Sequence, residues 1–306
     1  MQLQLIEAPI RSSDVSSLSI AGDSRHVSRN RRPKGQLMKW VGNKYRYANE
    51  IVSYFPNDYN TYFEPFVGTG AVLATLQPRA AIAGDTLEPL IELWKLIQKE
   101  PDLVSNYYAE KWQHFMKDPR ATFDEVKSEF NFNPNGLNLL FISRTCYGGV
   151  IRFTKQGTIS TPIGPHKPIN PLKFTQRLIE WRERVKNCRF ECADFRKIIS
   201  KANKGDIVYC DPPYVDSQSI LYGSQGFSLA DLLHEIACAK ERGAKVALSI
   251  DGVKKSGDKN IVLEISNGLF EREVFVDCGY SMLRRFQKNG EQMVGENVTE
   301  RLLLTW

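Results

Sequence analysis

From about residue 37 onward the chain alternates short apolar runs with longer amphipathic ones. Seven of the short runs read as strands, starting near positions 61, 80, 189, 207, 245, 273 and 301. Apolar residues recurring at helical spacing predict helices over 45–55, 71–76, 87–97, 173–185, 195–202 and 229–241. Two further amphipathic helices fit between Pro101 and Phe130, and another opens at Leu137. Strands alternating with helices predict an α/β fold, a Rossmann-like sheet of seven strands whose last two form an antiparallel hairpin. The stretch 101–187 interrupts this alternation and reads as an inserted domain between two parts of a sheet domain, 37–100 and 188–306. Within it Asn133-Pro134-Asn135-Gly136 is a turn, and Ile151 to Thr161 alternates around Lys155-Gln156-Gly157 as a β-hairpin. Residues 1–36 are rich in Ser and Arg, hold no sustained period, and read as a disordered basic leader.

Composition narrows the class. A chain of 306 residues buries one large core or two modest ones, and 42% hydrophobic with 25% charged residues is ordinary globular usage. No apolar run reaches bilayer length, so a soluble protein without membrane contact is expected. Six cysteines, at 146, 188, 192, 210, 238 and 278, show no C-x-x-C spacing and read as apolar thiols of a reducing cytoplasm, with no metal site. The net charge of +6 is unevenly spread: from Asn131 to Phe190 ten Lys/Arg face only Glu180 and Glu183, a balance of +8 that leaves −2 for the rest. Such a segment in a near-neutral chain points to a polyanion partner, although Arg182-Glu183-Arg184 reads as a solvated helix face.

Candidate chemistry gathers where the strands end. The run Ile207 to Cys210 stops at Asp211-Pro212-Pro213-Tyr214, and neither proline can donate to a sheet ladder. In an open parallel sheet the carboxyl edge is where ligands bind, so a carboxylate, fixed carbonyls and an aromatic face arrive there together. Glu64-Pro65-Phe66-Val67-Gly68-Thr69-Gly70 turns the first strand into a helix, with glycines that let the backbone approach a ligand closely. Asp85 ends the second strand, placed either to accept from ribose hydroxyls or to cap the next helix; Asp194 ends the third, with the same two readings. Lys39-Trp40-Val41-Gly42-Asn43-Lys44 opens the first helix, with amides and Lys44 near an anionic group or merely solvated.

Asp-Pro-Pro-Tyr after an apolar strand resembles the catalytic motif of the amino-group methyltransferases, and its leading Asp leans toward adenine. The order of KWxGxK, FxGxG, basic insert and DPPY resembles the Dam-like family of DNA adenine N6-methyltransferases from Lys39 onward. That resemblance implies S-adenosylmethionine as methyl donor and a site-specific enzyme acting on a flipped-out adenine of double-stranded DNA. It implies that Asp211 and the Pro212 carbonyl take the amino hydrogens, that Pro213 stiffens the turn, and that Tyr214 stacks on the base. Trp40, Gly42 and Lys44 would hold the cofactor, with Glu64, Pro65, Phe66, Gly68 and Gly70 around its methionine end, Asp85 at its ribose and Asp194 at its adenine amino group. Lys39, Arg144, Tyr147, Arg152, Lys155 and Pro162 would meet DNA, Arg152 reading a guanine edge and Tyr147 wedging into the duplex, with Arg284 and Arg285 at phosphates. Gly148 and Gly149 follow Tyr147 where the family commonly has Asn, so the resemblance does not carry GATC specificity over. Adenine in RNA, a protein amide, or a DNA-binding module on an inactive methyltransferase fold stay open as alternatives. A cognate restriction endonuclease stays open as a partner, and a monomer or weak dimer as the assembly.

Overall fold

The structure is a computed structural model that describes residues 31–154, 156–213, 227–251, 268–280 and 297–306. Residues 1–30 of the leader, Lys155, Tyr214, Arg284 and Arg285 lie outside the described residues. Seven strands form one sheet in the order β3-β2-β1-β4-β5-β7-β6: β1 Tyr62–Glu64, β2 Ala81–Asp85, β3 Cys188–Cys192, β4 Ile207–Cys210, β5 Lys245–Asp251, β6 Arg272–Tyr280 and β7 Asn297–Leu304. Strands β1 to β5 run parallel, and β7 runs antiparallel between β5 and β6. All seven sequence-derived strands are present, and the terminal pair is the expected antiparallel one.

Side-chain alternation decides which layer each residue serves. Tyr62, Ile207 and Tyr209 belong to a core shared with helices α1 (Ala48–Ser53), α2 (Ala71–Leu76) and α3 (Glu88–Lys99). Phe63, Val208 and Cys210 belong to the opposite core, with α8 (Phe195–Ile199) and α9 (Leu229–Glu241). Burial on both faces is what a parallel sheet requires, and it explains why these strands read as continuous apolar runs. The helices of 101–187 are α4 (Pro101–Lys117), α5 (Pro119–Phe132), α6 (Gly136–Thr145) and α7 (Pro171–Val185). Their buried Tyr108, Phe123, Phe141 and Trp181 lie in the same cluster as Tyr62 and Trp94, so the insertion extends the sheet's first core instead of building its own. Side-chain caps from Asp118, Asn135 and Asn170 start three of these helices. Among the described residues no helix is long and apolar enough to cross a membrane.

Four expectations need correction. The helix predicted over 45–55 is broken: a 3₁₀ turn covers Lys44–Arg46 and α1 starts only at Ala48, with Tyr47 non-helical (φ −118°, ψ 13°) between them. Asn43 accepts from the Tyr45 amide and tightens that turn. The predicted 195–202 helix ends earlier, at Ile199. The stretch 151–161 folds back on itself without a regular ladder, through an isolated Phe153–Ile159 bridge and backbone bonds from Thr154 to Thr158 and from Ser160 to Arg152. Residues 31–36, assigned to the leader, are fixed against α7: the Trp181 indole donates to the Gly35 carbonyl at 2.8 Å and Arg177 to that of Gln36 at 2.9 Å.

Candidate active site

The strand order reverses at β1, which has β2 on one side and β4 on the other, so the carboxyl ends of β1 and β4 splay into a crevice. A cavity of about 350 Å³ opens there, within the range of cofactor sites. The residues at the strand ends line it: Glu64 as the last residue of β1, Asp85 as the last of β2, Asp194 past β3, and Asp211, Pro212 and Pro213 past β4. Trp40, Gly42, Lys44, Pro65, Phe66 and Gly68 line it as well, so the sequence-derived cofactor residues converge on one space. Gly70 does not line it; at φ 60° it ends the loop and starts α2. Thr86, Ile151, Phe195, Tyr209 and Phe227 are lining residues that no motif marked.

Asp211 is held by a charge network. Because Tyr209 faces the α1 side of the sheet and Cys210 the opposite side, Asp211 emerges on the α1 side, where Lys44 waits. Lys44 is 3% exposed, and its Nζ lies 2.6 Å from Asp211 Oδ1 and 3.0 Å from Glu300 Oε1 of β7. Instead of a solvated first-turn lysine, the chain has a buried one shared between two carboxylates.

Each remaining acid has its own environment. Glu64 is fully buried, accepts from the Tyr62 hydroxyl at 2.7 Å, and is pushed up to about 8 by burial, with the nearby Asp211 charge adding to the rise. Asp85 accepts from the Gly68 amide at 3.2 Å through Oδ2 and from the Leu87 amide at 3.1 Å through Oδ1, tying the glycine loop to the start of α3 while it faces the cavity. Asp194 caps α8 through the Arg196 amide and pairs with the Arg196 guanidinium at 3.0 Å. For Asp194 the capping and cavity positions coexist, whereas Asp85 faces the cavity without capping α3, whose N-cap is Leu87. The glycine loop rests on Trp94, whose indole donates to the Gly68 carbonyl at 3.0 Å and whose ring lies 3.0 Å from where a Gly70 Cβ would sit. Trp94 is thus a supporting residue that sequence reasoning missed. Three acids, the glycine-loop backbone and the Phe66, Phe195 and Phe227 rings suit a ligand with hydroxyls, an amine and a flat base.

The segment beside the cavity displays some expected residues and buries others. Tyr147 is 45% exposed, and Arg152 and Pro162 are exposed. The Arg152 backbone is framed, its amide donating to Thr161 Oγ1 at 2.7 Å and its carbonyl accepting from the Ser160 amide at 3.0 Å. Lys39 packs its stem on Gly149, where a Cβ would approach Lys39 Cβ to 2.6 Å and where φ is 70°. Arg144 contradicts the DNA-contact expectation: it is 5% exposed, and its Nη1 donates to the carbonyls of Gln36 and Leu37 at 3.2 and 3.0 Å. Helix α6 is buried on nearly every face, which leaves its arginine no route to a ligand. Replacing Arg144 by Met is expected to cost about 1.5–3 kcal/mol, because the Leu37 carbonyl loses a charged donor. Thermal denaturation checks the loss, and the salt dependence of DNA binding should stay that of the parent chain.

Residues 40–292 match the family model of the D12 class N6 adenine-specific DNA methyltransferases. A DNA adenine methylase of Vibrio cholerae serotype O1 is 28% identical over 225 residues, covering 70% of this chain and 80% of that protein. A DNA adenine methylase of Serratia marcescens is 30% identical over 213 residues, covering 64% and 74%. The type II methyltransferase M1.LlaDCHI of Lactococcus lactis subsp. cremoris is 24% identical over 279 residues, covering 87% and 93%.

Proposed function

The chain belongs to the D12 class of N6 adenine-specific DNA methyltransferases, and from that premise we propose that Asp211, at the mouth of the 350 Å³ cavity, is the acceptor for the target amino group. The enzyme transfers a methyl group to the N6 amino nitrogen of adenine in DNA. S-adenosylmethionine is the donor that fits the lining, and when bound it supplies a methyl carried on a sulfonium sulfur. Glu64 and the Gly68 loop suit its amino-acid end, Asp85 its ribose and Asp194 its adenine, with Phe66 and Phe195 as apolar walls.

The adenine amino nitrogen is a poor nucleophile because its lone pair is delocalised into the ring. A carboxylate oxygen of Asp211 accepting one N–H and the Pro212 carbonyl accepting the other draw the nitrogen toward tetrahedral geometry and free the lone pair. Lys44 fixes the carboxylate for this task. The residues thus contribute orientation and preorganised acceptors, which is where most of the rate gain of such a reaction arises.

Inside a duplex the amino group is out of reach, so the base flips into the cavity at an unstacking cost of a few kcal/mol. Arg152 and Tyr147 are displayed beside the cavity, and Ile151 between them already lines it. Their segment is held by Asn131 of α5, whose side chain accepts from the Ile159 amide at 2.6 Å and donates to the Ile159 carbonyl at 3.1 Å. Asn131→Ala releases this two-point clamp, and the expected result is a loss of about tenfold in discrimination between the target and single-base variants, with cofactor affinity unchanged. Methylation rates on matched duplexes measure it.

The observation that carries this reading is Asp211 reaching the sheet's switch point, paired with a buried lysine in a cavity lined by three further acids. The test is sequencing for methylated adenine on unmethylated genomic DNA treated with the protein and S-adenosylmethionine. Modified adenines confined to one short motif support it; cofactor binding without any modified adenine turns the assignment to RNA or protein.

A further inference from the structure

Strand β7 brings a carboxylate to the site from a part of the chain that no motif marks. Glu300 is 5% exposed, and its backbone pairs with Asp251 of β5 and Val276 of β6, the last strands of the sheet. Its Oε1 takes Lys44 Nζ at 3.0 Å, and its Oε2 accepts from the Tyr47 hydroxyl at 2.9 Å. The Gly42 carbonyl accepts from the same Nζ at 3.1 Å, and Asp211 Oδ1 lies at 2.6 Å. An ammonium has three N–H donors, and the Gly42 carbonyl, Glu300 and Asp211 are three acceptors within reach of them. Because the donors are tetrahedral, holding two of them aims the third, so Glu300 and the Gly42 carbonyl direct the N–H that meets Asp211.

The sharing also sets the charge. Lys44 facing Asp211 alone would form a pair of zero net charge, and a carboxylate neutralised in this way is a weaker acceptor for an amino hydrogen. With Glu300 drawing on the same ammonium, two carboxylates share one cation beside the place where the amino nitrogen becomes positive.

We propose that Glu300 is a positioning residue for methyl transfer, anchoring and sharing Lys44 so that Asp211 keeps its orientation and its strength as an acceptor. This rests on the reading of Asp211 as the amino-group acceptor. Tyr47 extends the chain by one link, and the break between the 3₁₀ turn and α1 falls at this residue.

The test uses the full chain with Glu300→Gln, Glu300→Asp and Tyr47→Phe. Single-turnover methylation is read against the affinities for S-adenosylmethionine and target DNA and against the melting temperature. The expected result for Glu300→Gln is a drop in the methylation rate constant of about tenfold or more, with both affinities within about twofold. Glu300→Asp, which restores the charge, recovers part of that rate, and Tyr47→Phe shows a smaller loss of the same kind. An unchanged rate in Glu300→Gln overturns the proposal, as does an equal loss in the Gln and Asp variants, which would make the charge irrelevant. A loss that follows cofactor affinity or melting temperature also overturns it. Should Glu300→Gln fail to fold, Tyr47→Phe decides: a slower rate at intact affinity supports the proposal, and an unchanged rate ends it. Asp211→Ala serves as the control, since normal turnover there removes the underlying reading whatever the Glu300 variants do.

Discussion

Asp211→Ala is expected to lower the single-turnover methylation rate by about 10³-fold or more while leaving affinity for DNA and S-adenosylmethionine within a few fold. With Asp211 as the proposed acceptor for the amino group, its loss falls mainly on the transition state. The fold should tolerate the change because Lys44 keeps Glu300 as a partner at 3.0 Å, and no buried ammonium is stranded. Asp211→Asn keeps one carbonyl acceptor but loses the charge, and its rate should fall between those of the Ala variant and the parent. Incorporation of tritiated methyl into DNA, paired with an equilibrium binding assay, measures both. Near-normal turnover of Asp211→Ala would sink the assignment.

The second large effect concerns Glu64 and pH. Burial pushes its carboxyl from the ordinary 4.5 up to about 8, while the Tyr62 hydroxyl partly opposes the rise. With the folded-state value above the unfolded one, the folded chain holds a proton that the unfolded chain has released throughout the window between them. The corresponding stability is fully present below about 4.5 and is lost as pH rises toward 8. The loss is on the order of a few kcal/mol for a group this buried. Glu64→Gln, neutral at every pH, is expected to melt higher than the parent at pH 8 to 9 and to show a flatter dependence from about 4.5 to 8. A cationic ligand amine reverses the balance, because it favours the ionised carboxyl: S-adenosylmethionine should bind the parent more tightly as pH rises toward 8, and Glu64→Gln should lose that trend. Melting curves and calorimetric titrations across this range check both halves. A parent whose stability does not respond to pH where the Gln variant also stays flat would remove Glu64 from the account.

Local pattern was enough to read the sheet and the residues that end its strands. The apolar run before Asp211 and the glycines after Phe66 announce a strand end and a turn in any context, and that is where the structure has them. What stayed illegible was long-range. Lys44 read as near an anionic group or as solvated, and not as a buried ion-pair partner, because its carboxylates lie at 211 and 300 and no periodicity links charges that far apart in the chain. Arg144 is the instructive error. The unbroken apolar stretch Leu139-Leu140-Phe141-Ile142 before it was the available signal, since a helix apolar all round is buried all round, and an arginine two residues further on is buried with it. The hairpin expected over 151–161 had the right alternation, yet Thr side chains and Asn131 satisfy its backbone where a ladder was predicted. Trp94 carried no motif at all; only the distance from its indole to the Gly68 carbonyl reveals it.

Strand β7 is made after every other strand of the sheet, yet it sits inside the sheet, between β5 and β6. A nascent chain that has emerged through residue 280 already owns the glycine loop, the 147–162 segment and Asp211, but β6 has no neighbour to pair with and Lys44 lacks its second carboxylate. Synthesis at roughly 5–20 residues per second puts a delay of about 4 to 18 seconds between the appearance of Asp211 and that of Glu300. Closing the far edge of the sheet and giving Lys44 its second carboxylate are therefore one event in the life of the molecule, and it follows the other strands.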